Sequence, residues 1–205
     1  MSGTLFIIAA PSGAGKTSLV RELMRGDAKL RLSISFTTRD ARPGEVDGAD
    51  YHFVTPDAFK AKIAANAFLE WALVHGNYYG TARAMVETEL SRDRDVILEI
   101  DWQGARQVRL SFPDAREIFI LPPSRDTLKF RLENRGQDSA EVIAKRMRNA
   151  VEEMQHCGEF EFIVINDAFD TALNELKIIV AACRLSASVQ QSRHSALLTR
   201  LLNAG

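Results

Sequence analysis

Residues 5 to 19 read L-F-I-I-A-A-P-S-G-A-G-K-T-S-L, and the fold follows from how this stretch changes character along its length. Leu5 to Ala10 is an apolar run too short to cross a bilayer, so it reads as a buried strand. Pro11 breaks the run into a small loop that ends in Gly15-Lys16-Thr17. Leu19, Val20, Leu23 and Met24 then recur at helical spacing, so strand, loop and helix follow without a linker. That succession is the geometry of a phosphate cradle. Gly13 and Gly15 let the backbone bend so that successive N–H groups converge on one anion, and a helix starting near Gly15 adds its positive end. Lys16 can reach the terminal phosphates of a nucleotide, and Thr17 offers a hydroxyl to a bound Mg2+. The general pattern G-x-x-x-x-G-K-[ST] is met except at its first position, where Ala10 stands. A glycine-bearing turn with a surface lysine is the plainer alternative. It does not account for strand, both glycines, lysine, hydroxyl and helix falling in this order.

The chain of 205 residues is 46% hydrophobic, enough for one domain or a core with insertions. With 26 basic and 27 acidic residues, no overall field recruits nucleic acid or an anionic membrane, and affinity for phosphate must be local. Cys157 and Cys183 lack C-x-x-C spacing, and His52, His75, His156 and His194 do not cluster, so neither a disulfide framework nor a zinc site is indicated. The apolar N-terminal run lacks a basic leader, and a cytoplasmic protein is expected.

Downstream, Ser33 to Val54 begins with strand-like alternation. It then passes Arg39, Arg42 and the turn signals Pro43-Gly44 and Asp47-Gly48 before a second short strand, Tyr51 to Val54. The two arginines either fork around a dianionic phosphate or are ordinary solvated side chains. Thr55-Pro56-Asp57 opens a helix to about Asn66, and Phe68 to Ala72 reads as a strand in which Glu70 is set among apolar residues. A carboxylate there either faces water at an edge or pairs with donors. Gly76 to Thr81 reads as a ligand-lining loop or a packed turn, and a helix follows from about Ala82 to Ser91. Val96 to Asp101 is a buried strand ending in an acid, which in a parallel sheet faces the ligand crevice. A helix over Gly104 to Leu110, a strand over Ile118 to Leu121 and a strand over Phe162 to Ile165 complete an α/β alternation. Between them the chain is helical from Ser124, with a break at Gly136-Gln137-Asp138 and a second helix from Ser139 to about Cys157. Arg131, Arg135, Arg146 and Arg148 around that break form either a solvated face or a mobile lid. One helix is expected over Ala172 to Ser186 and one over Ser188 to Leu202, the latter packing on the core or on another subunit.

These motifs together resemble those of the bacterial guanylate kinases over essentially the whole chain. The residues that carry the likeness are APSGAGKT at 10 to 17, SFTTRDARPGEVDGADYHFV at 35 to 54, FLEWA at 68 to 72, GNYYGT at 76 to 81, DWQGA at 101 to 105, and RLENRGQDS with AKRM within 131 to 148. The resemblance implies transfer of the γ-phosphoryl group of ATP to GMP with Mg2+. It implies an α/β fold with a P-loop parallel sheet core (1–34, 84–126 and 150–205), an inserted GMP-binding module (35–83) and a helical lid (127–149). Carried over by position, Arg39, Arg42, Tyr51 and Tyr79 would hold the GMP phosphate, and Ser35, Glu70 and Thr81 would read guanine. A carboxylate can accept from guanine N1–H and N2–H together, whereas adenine presents an acceptor at N1. Ala10, Pro11, Ser12, Gly13, Ala14, Gly15, Lys16, Thr17, Arg131, Arg135 and Asn166 would line the ATP site. Asp101 is expected beside GMP and, through water, at the metal ligated by Thr17; Lys16, Arg39, Arg135 and Arg146 would carry the charge of the reaction. The family often has Asp where Glu99 stands. A kinase of another phosphorylated acceptor would not need Glu70, Ser35 and Thr81 together, and a non-catalytic binding module would not need the phosphate loop. A GTPase switch would need an N-K-x-D motif that the chain lacks.

Overall fold

The computed structural model describes residues 3–74, 76–134 and 139–203. Strand β1 (Leu5–Ala9) is buried at every position and lies at the centre of a five-stranded sheet. Its neighbours are β7 (Asp95–Glu99) on one side and β8 (Arg116–Leu121) on the other, both parallel, with Leu5 opposite Val96 and Phe6 opposite Arg116. The outer strands β2 (Leu30–Leu32) and β9 (Phe162–Ile165) are also parallel, giving the order β2-β7-β1-β8-β9. The chain reverses direction of travel across the sheet at β1, so a crevice opens beyond the carboxyl ends of β1 and β7.

Successive side chains of β1 point to opposite faces, and each face has its own core. Phe6 and Ile8 pack with Leu19, Val20 and Leu23 of α1 (Lys16–Arg25) and with Leu173, Leu176 and Val180 of α7 (Phe169–Arg184). Leu5, Ile7 and Ala9 pack with Val86 and Leu90 of α3 (Arg83–Ser91) and with Ala105 and Val108 of α4 (Trp102–Ser111). Phe6, Ile7 and Ile8 are each fully buried, worth about 1.5–3 kcal/mol apiece.

A second, four-stranded sheet has the order β4-β3-β6-β5, from β3 (Phe36–Thr37), β4 (His52–Phe53), β5 (Phe68–Val74) and β6 (Asn77–Ala82). It is backed by α2 (Pro56–Ala64), which starts at an N-cap Thr55 whose hydroxyl accepts from Ala58 N–H at 3.2 Å. Phe59 of α2 stacks on Phe68 at 4.4 Å and on Tyr78 at 5.3 Å. The two sheets are joined through α4. Gln107 accepts from Trp71 N–H at 3.1 Å and donates to Trp71 C=O at 2.9 Å, which fixes β5 beside that helix. After β8 come α5 (Arg125–Glu133) and α6 (Ala140–Met154), which pack through Leu128, Leu132 and Ala150.

Four local readings change. Gly76 to Thr81 is mostly strand, because Gly80 lies where a Cβ would come 2.9 Å from Phe59 Cζ; the glycine serves close packing in place of a turn. Strand β2 is an element that Leu30-Arg31-Leu32 is too short to signal by alternation. Asp101 lies beyond the end of β7 and is the N-cap of α4, its Oδ1 accepting from Gly104 N–H at 2.8 Å. The tail is two helices, α8 (Ala187–Arg193) and α9 (Ser195–Leu202), divided at His194.

Candidate active site

At the carboxyl end of β1 the chain turns through Gly13 and Gly15, both at φ +92°, where only glycine is at ease. Gly15 is the N-cap of α1, and the first turn of that helix carries no acidic residue, so its positive end stays available to an anion. The loop is held from behind. Asn166, buried, donates its amide to Ala14 C=O at 2.7 Å, and Leu128 and Leu132 close on Gly13. Arg131 donates to Asn166 C=O at 3.0 Å. Its Nη1 is buried with no hydrogen-bond partner among the described residues.

In front of the loop are two adjoining cavities. One, of about 340 Å³, is lined by Ala10, Pro11, Ser12, Gly13, Gly15, Lys16 and Thr17 together with Asp101 and Glu153. The other, of about 170 Å³, is lined by Ser35, Glu70 and Ala72 on one wall and by Glu99 on another. Lys16, Tyr51, Tyr79, Asp101 and Glu153 border both. Lys16 Nζ lies 3.5 Å from Ile100 C=O, and Thr17 Oγ1 lies 3.5 Å from Glu99 Oε2. The second Glu99 oxygen, Oε1, is buried without a partner among the described residues.

Glu70 is 4% exposed, and its Oε1 accepts from the Thr81 hydroxyl at 2.6 Å. Burial pushes its carboxyl up to about 7 against the pull of that hydrogen bond. The strand is thus not an edge exposed to water at this position; the carboxylate is paired inside. Tyr51 and Tyr79 meet edge to face at 6.0 Å, and the Arg39 guanidinium lies 5.5 Å over Tyr51.

The remaining expected residues sit around this centre. Arg39 donates to both Glu45 oxygens at 2.8 and 2.9 Å, and its guanidinium holds the Glu45 carboxyl below the usual range. Glu45 also accepts from Arg42 N–H at 2.7 Å, so one carboxylate organises the loop bearing both arginines; the Arg42 side chain is exposed. Ala14 faces the core, and the Asn166 amide is engaged by the loop, not by an open surface. Arg146 lies half-buried on α6. Arg135 lies outside the described residues.

Glu45 and Glu153 escape a reading of the sequence, and Glu99 is singled out there without a role. Glu45 stands in the quoted arginine block, but only its reach back to Arg39 reveals its part. Glu99 has a signal in its spacing, two before Asp101 at the end of a buried strand. Glu153 has none beyond its place in the last turn of α6, from which its carboxylate accepts from Ser12 N–H at 3.3 Å.

The guanylate kinase family model matches residues 2–183, which span both sheets and both cavities. The chain belongs to the guanylate kinase family. A guanylate kinase of Hydrogenovibrio crunogenus is 55% identical over 201 residues, covering 98% of each chain. One of Escherichia coli is 54% identical over 202 residues, again covering 98% of each. The crystal structure of guanylate kinase from Anaplasma phagocytophilum superposes with a TM-score of 0.75 at 27% identity, over 93% of this chain and 95% of that one. The guanylate kinase family model ends just before Arg184, so α8 and α9 lie beyond it, whereas the two full-length relatives extend over nearly the whole chain. Among the described residues no helix is long and apolar enough to cross a membrane.

Proposed function

We propose that the protein transfers the γ-phosphoryl group of ATP to GMP, giving ADP and GDP. The observation that carries this reading is Lys16 standing at the border of two cavities, one built on a phosphate loop and the other ending in the buried carboxylate of Glu70. In the reaction an oxygen of the GMP phosphate forms the new bond to the γ-phosphorus as the bond to the β-bridging oxygen breaks, and that electron pair leaves on ADP. The acceptor is already an anion, so no protein base is needed; the protein aligns the two phosphates and disperses their charge.

The loop from Ala10 to Thr17 would hold the ATP phosphates, with Lys16 reaching the transferred group. Tyr51, Tyr79, Arg39 and Arg42 would hold the GMP phosphate, the last two once Glu45 has fixed their loop. Ser35, Glu70 and Thr81 would read the base. Asn166 and Arg131 would set the loop from behind, with Arg135 and Arg146 of the lid contributing charge. The core is taken as 1–34, 84–126 and 150–205, the GMP module as 35–83 and the lid as 127–149. Closure of the two modules would exclude water, which otherwise hydrolyses ATP.

The site fits Mg2+. Thr17 offers a hydroxyl 3.5 Å from Glu99 Oε2, the other Glu99 oxygen is buried without a partner among the described residues, and Asp101 borders the cavity that Thr17 lines. No group of three or more acidic, His or Cys side chains among the described residues could cage a cation. That suits an ion which takes one or two protein ligands and completes its shell with phosphate and water. Bound there, it would neutralise charge on the β- and γ-phosphates. Cys157 and Cys183 are free thiols, which suits the reducing cytoplasm in which we place the protein.

An assay of ADP release with GMP, AMP, CMP, UMP and dTMP tests the proposal. Turnover with GMP far above the others is expected, and Lys16→Ala is expected to lower kcat by ~10²-fold or more. Equal turnover with AMP, or full activity of Lys16→Ala, would refute the assignment.

A further inference from the structure

The first turn of α4 passes beside Glu70, and the residue at the point of approach is Gly104. A Cβ placed on Gly104 would lie 2.8 Å from Glu70 Oε2, 3.3 Å from Glu70 Cδ and 3.3 Å from Ile100 Cβ. Gly104 has no conformational need to be glycine: it sits in a helix without positive φ, its N–H donating to Asp101 Oδ1. Gly13 and Gly15, by contrast, take φ +92°. Glycine within a helix costs stability relative to alanine, so its presence here has another cause.

Among the described residues the only approach under 3.0 Å is to the end of one flexible side chain. The two Glu70 oxygens are not equivalent. Oε1 is engaged by the Thr81 hydroxyl, and Oε2 is the one that occupies the space a side chain at residue 104 would fill. We propose that Gly104 is a positioning residue for base recognition. The missing side chain sets where the Glu70 carboxylate stands, and so sets the preference for a purine carrying two adjacent donors. This rests on Glu70 being the guanine acceptor.

An added methyl group is cheap for the fold to the extent that Glu70 Oε2, the far end of a flexible side chain, swings aside and Ile100 Cβ, at 3.3 Å, gives by a few tenths of an ångström. It is not cheap for recognition, since hydrogen bonds in a buried site weaken steeply with misalignment. Guanine offers N1–H and N2–H to the carboxylate, whereas hypoxanthine offers N1–H alone. A displaced carboxylate should therefore lose more with GMP than with IMP.

The test compares the wild-type chain, Gly104→Ala and Glu70→Gln by thermal melting, by calorimetry with GMP, IMP and ATP, and by steady-state kinetics. For Gly104→Ala, an unchanged or higher melting temperature is expected, with GMP affinity weakened by about tenfold and the GMP-to-IMP preference narrowed. ATP affinity and kcat at saturating GMP should stay within about threefold of wild type. Wild-type GMP affinity and preference in Gly104→Ala, alongside weakened GMP in Glu70→Gln, would overturn the positioning role alone. Unaltered GMP binding in Glu70→Gln would overturn the reading of Glu70 and this inference with it. If Gly104→Ala melts early, Glu70→Asp in the same chain withdraws the carboxylate and should return the melting temperature to that of Glu70→Asp alone. Failure of that rescue, or equal loss of all three ligands, would make Gly104 merely structural.

Discussion

Glu70 is held inside the protein at a cost that the base would repay. Burial pushes its carboxyl up to about 7, with Asp101 adding to the rise and the Thr81 hydroxyl opposing it. The folded chain therefore binds more protons than the unfolded chain between the ordinary glutamate value near 4.5 and about 7. Stability from this group is fully present below that lower value and is lost as pH rises through the upper one, by something on the order of 3 kcal/mol. Glu70→Gln keeps an acceptor for Thr81 and cannot ionise. Its melting temperature should exceed that of the wild type above pH 7, and its fall between pH 5 and pH 8 should be shallower. Binding should move the other way, because the ionised carboxylate is the acceptor for both guanine donors. Wild-type GMP affinity should rise through about pH 7, whereas Glu70→Gln should lack that rise and bind GMP more weakly by roughly 1–3 kcal/mol. The GMP phosphate titrates near 6 in both proteins, so the difference between the two pH curves isolates Glu70. Parallel curves would show that this side chain stays protonated or lies outside the base site.

At the scale of elements, the phosphate loop and the parallel strands β1, β7, β8 and β9 were legible because each rests on a local pattern, an apolar run in every case and, at the loop, two glycines, a lysine and helical spacing in unbroken order. Gly76 to Thr81 was not, since glycine in a strand and glycine in a turn read alike until Phe59 is seen packed over Gly80. The division of the tail at His194 carries no proline or glycine to mark it. The candidate site was legible to the extent that its residues fall in motifs, as Lys16, Arg39 and Glu70 do. Contacts between distant elements were not, and the clearest is the last turn of α6 against the phosphate loop. There the Glu153 carboxylate accepts from Ser12 N–H, one of the amides proposed to face a phosphate, and burial raises its pKa. A phosphate oxygen and this carboxylate compete for one donor, and their like charges oppose each other across it. ATP binding would have to displace Glu153. Glu153→Gln should accordingly tighten ATP by roughly 1 kcal/mol, about fivefold by calorimetry, and leave GMP affinity unchanged. Weaker ATP binding in that variant would mean the carboxylate supports the loop in the loaded state too.

Across the whole molecule, the cleft at the carboxyl ends of the strands is matched by an ionic tie at their amino ends. Asp95 opens β7 with its side chain fully buried, and its Oδ1 accepts from Thr4 N–H at 2.7 Å. Arg184, at the end of α7, donates to Asp95 at 2.6 Å and to Asp27 at 2.5 Å, while Arg193 of α8 approaches Asp95 at 3.7 Å. The carboxyl-terminal helices are thereby fastened to the strand that precedes the phosphate loop and to the one that leads to Asp101. Removing Arg184 leaves the buried Asp95 with the Thr4 N–H and the more distant Arg193, and breaking a buried pair typically costs about 3–5 kcal/mol. Arg193 at 3.7 Å is too far to take over as a hydrogen-bond donor without moving, so little of that loss should be recovered. For a chain of this size each kcal/mol shifts the midpoint by roughly 2–4 °C, so Arg184→Ala should melt about 6–20 °C lower. Below its transition it should bind ATP and GMP as the wild type does, because the tie and the cleft lie at opposite ends of β1. Loss of nucleotide affinity in the still-folded variant would show that strain at the amino end of the sheet reaches the phosphate loop through that strand.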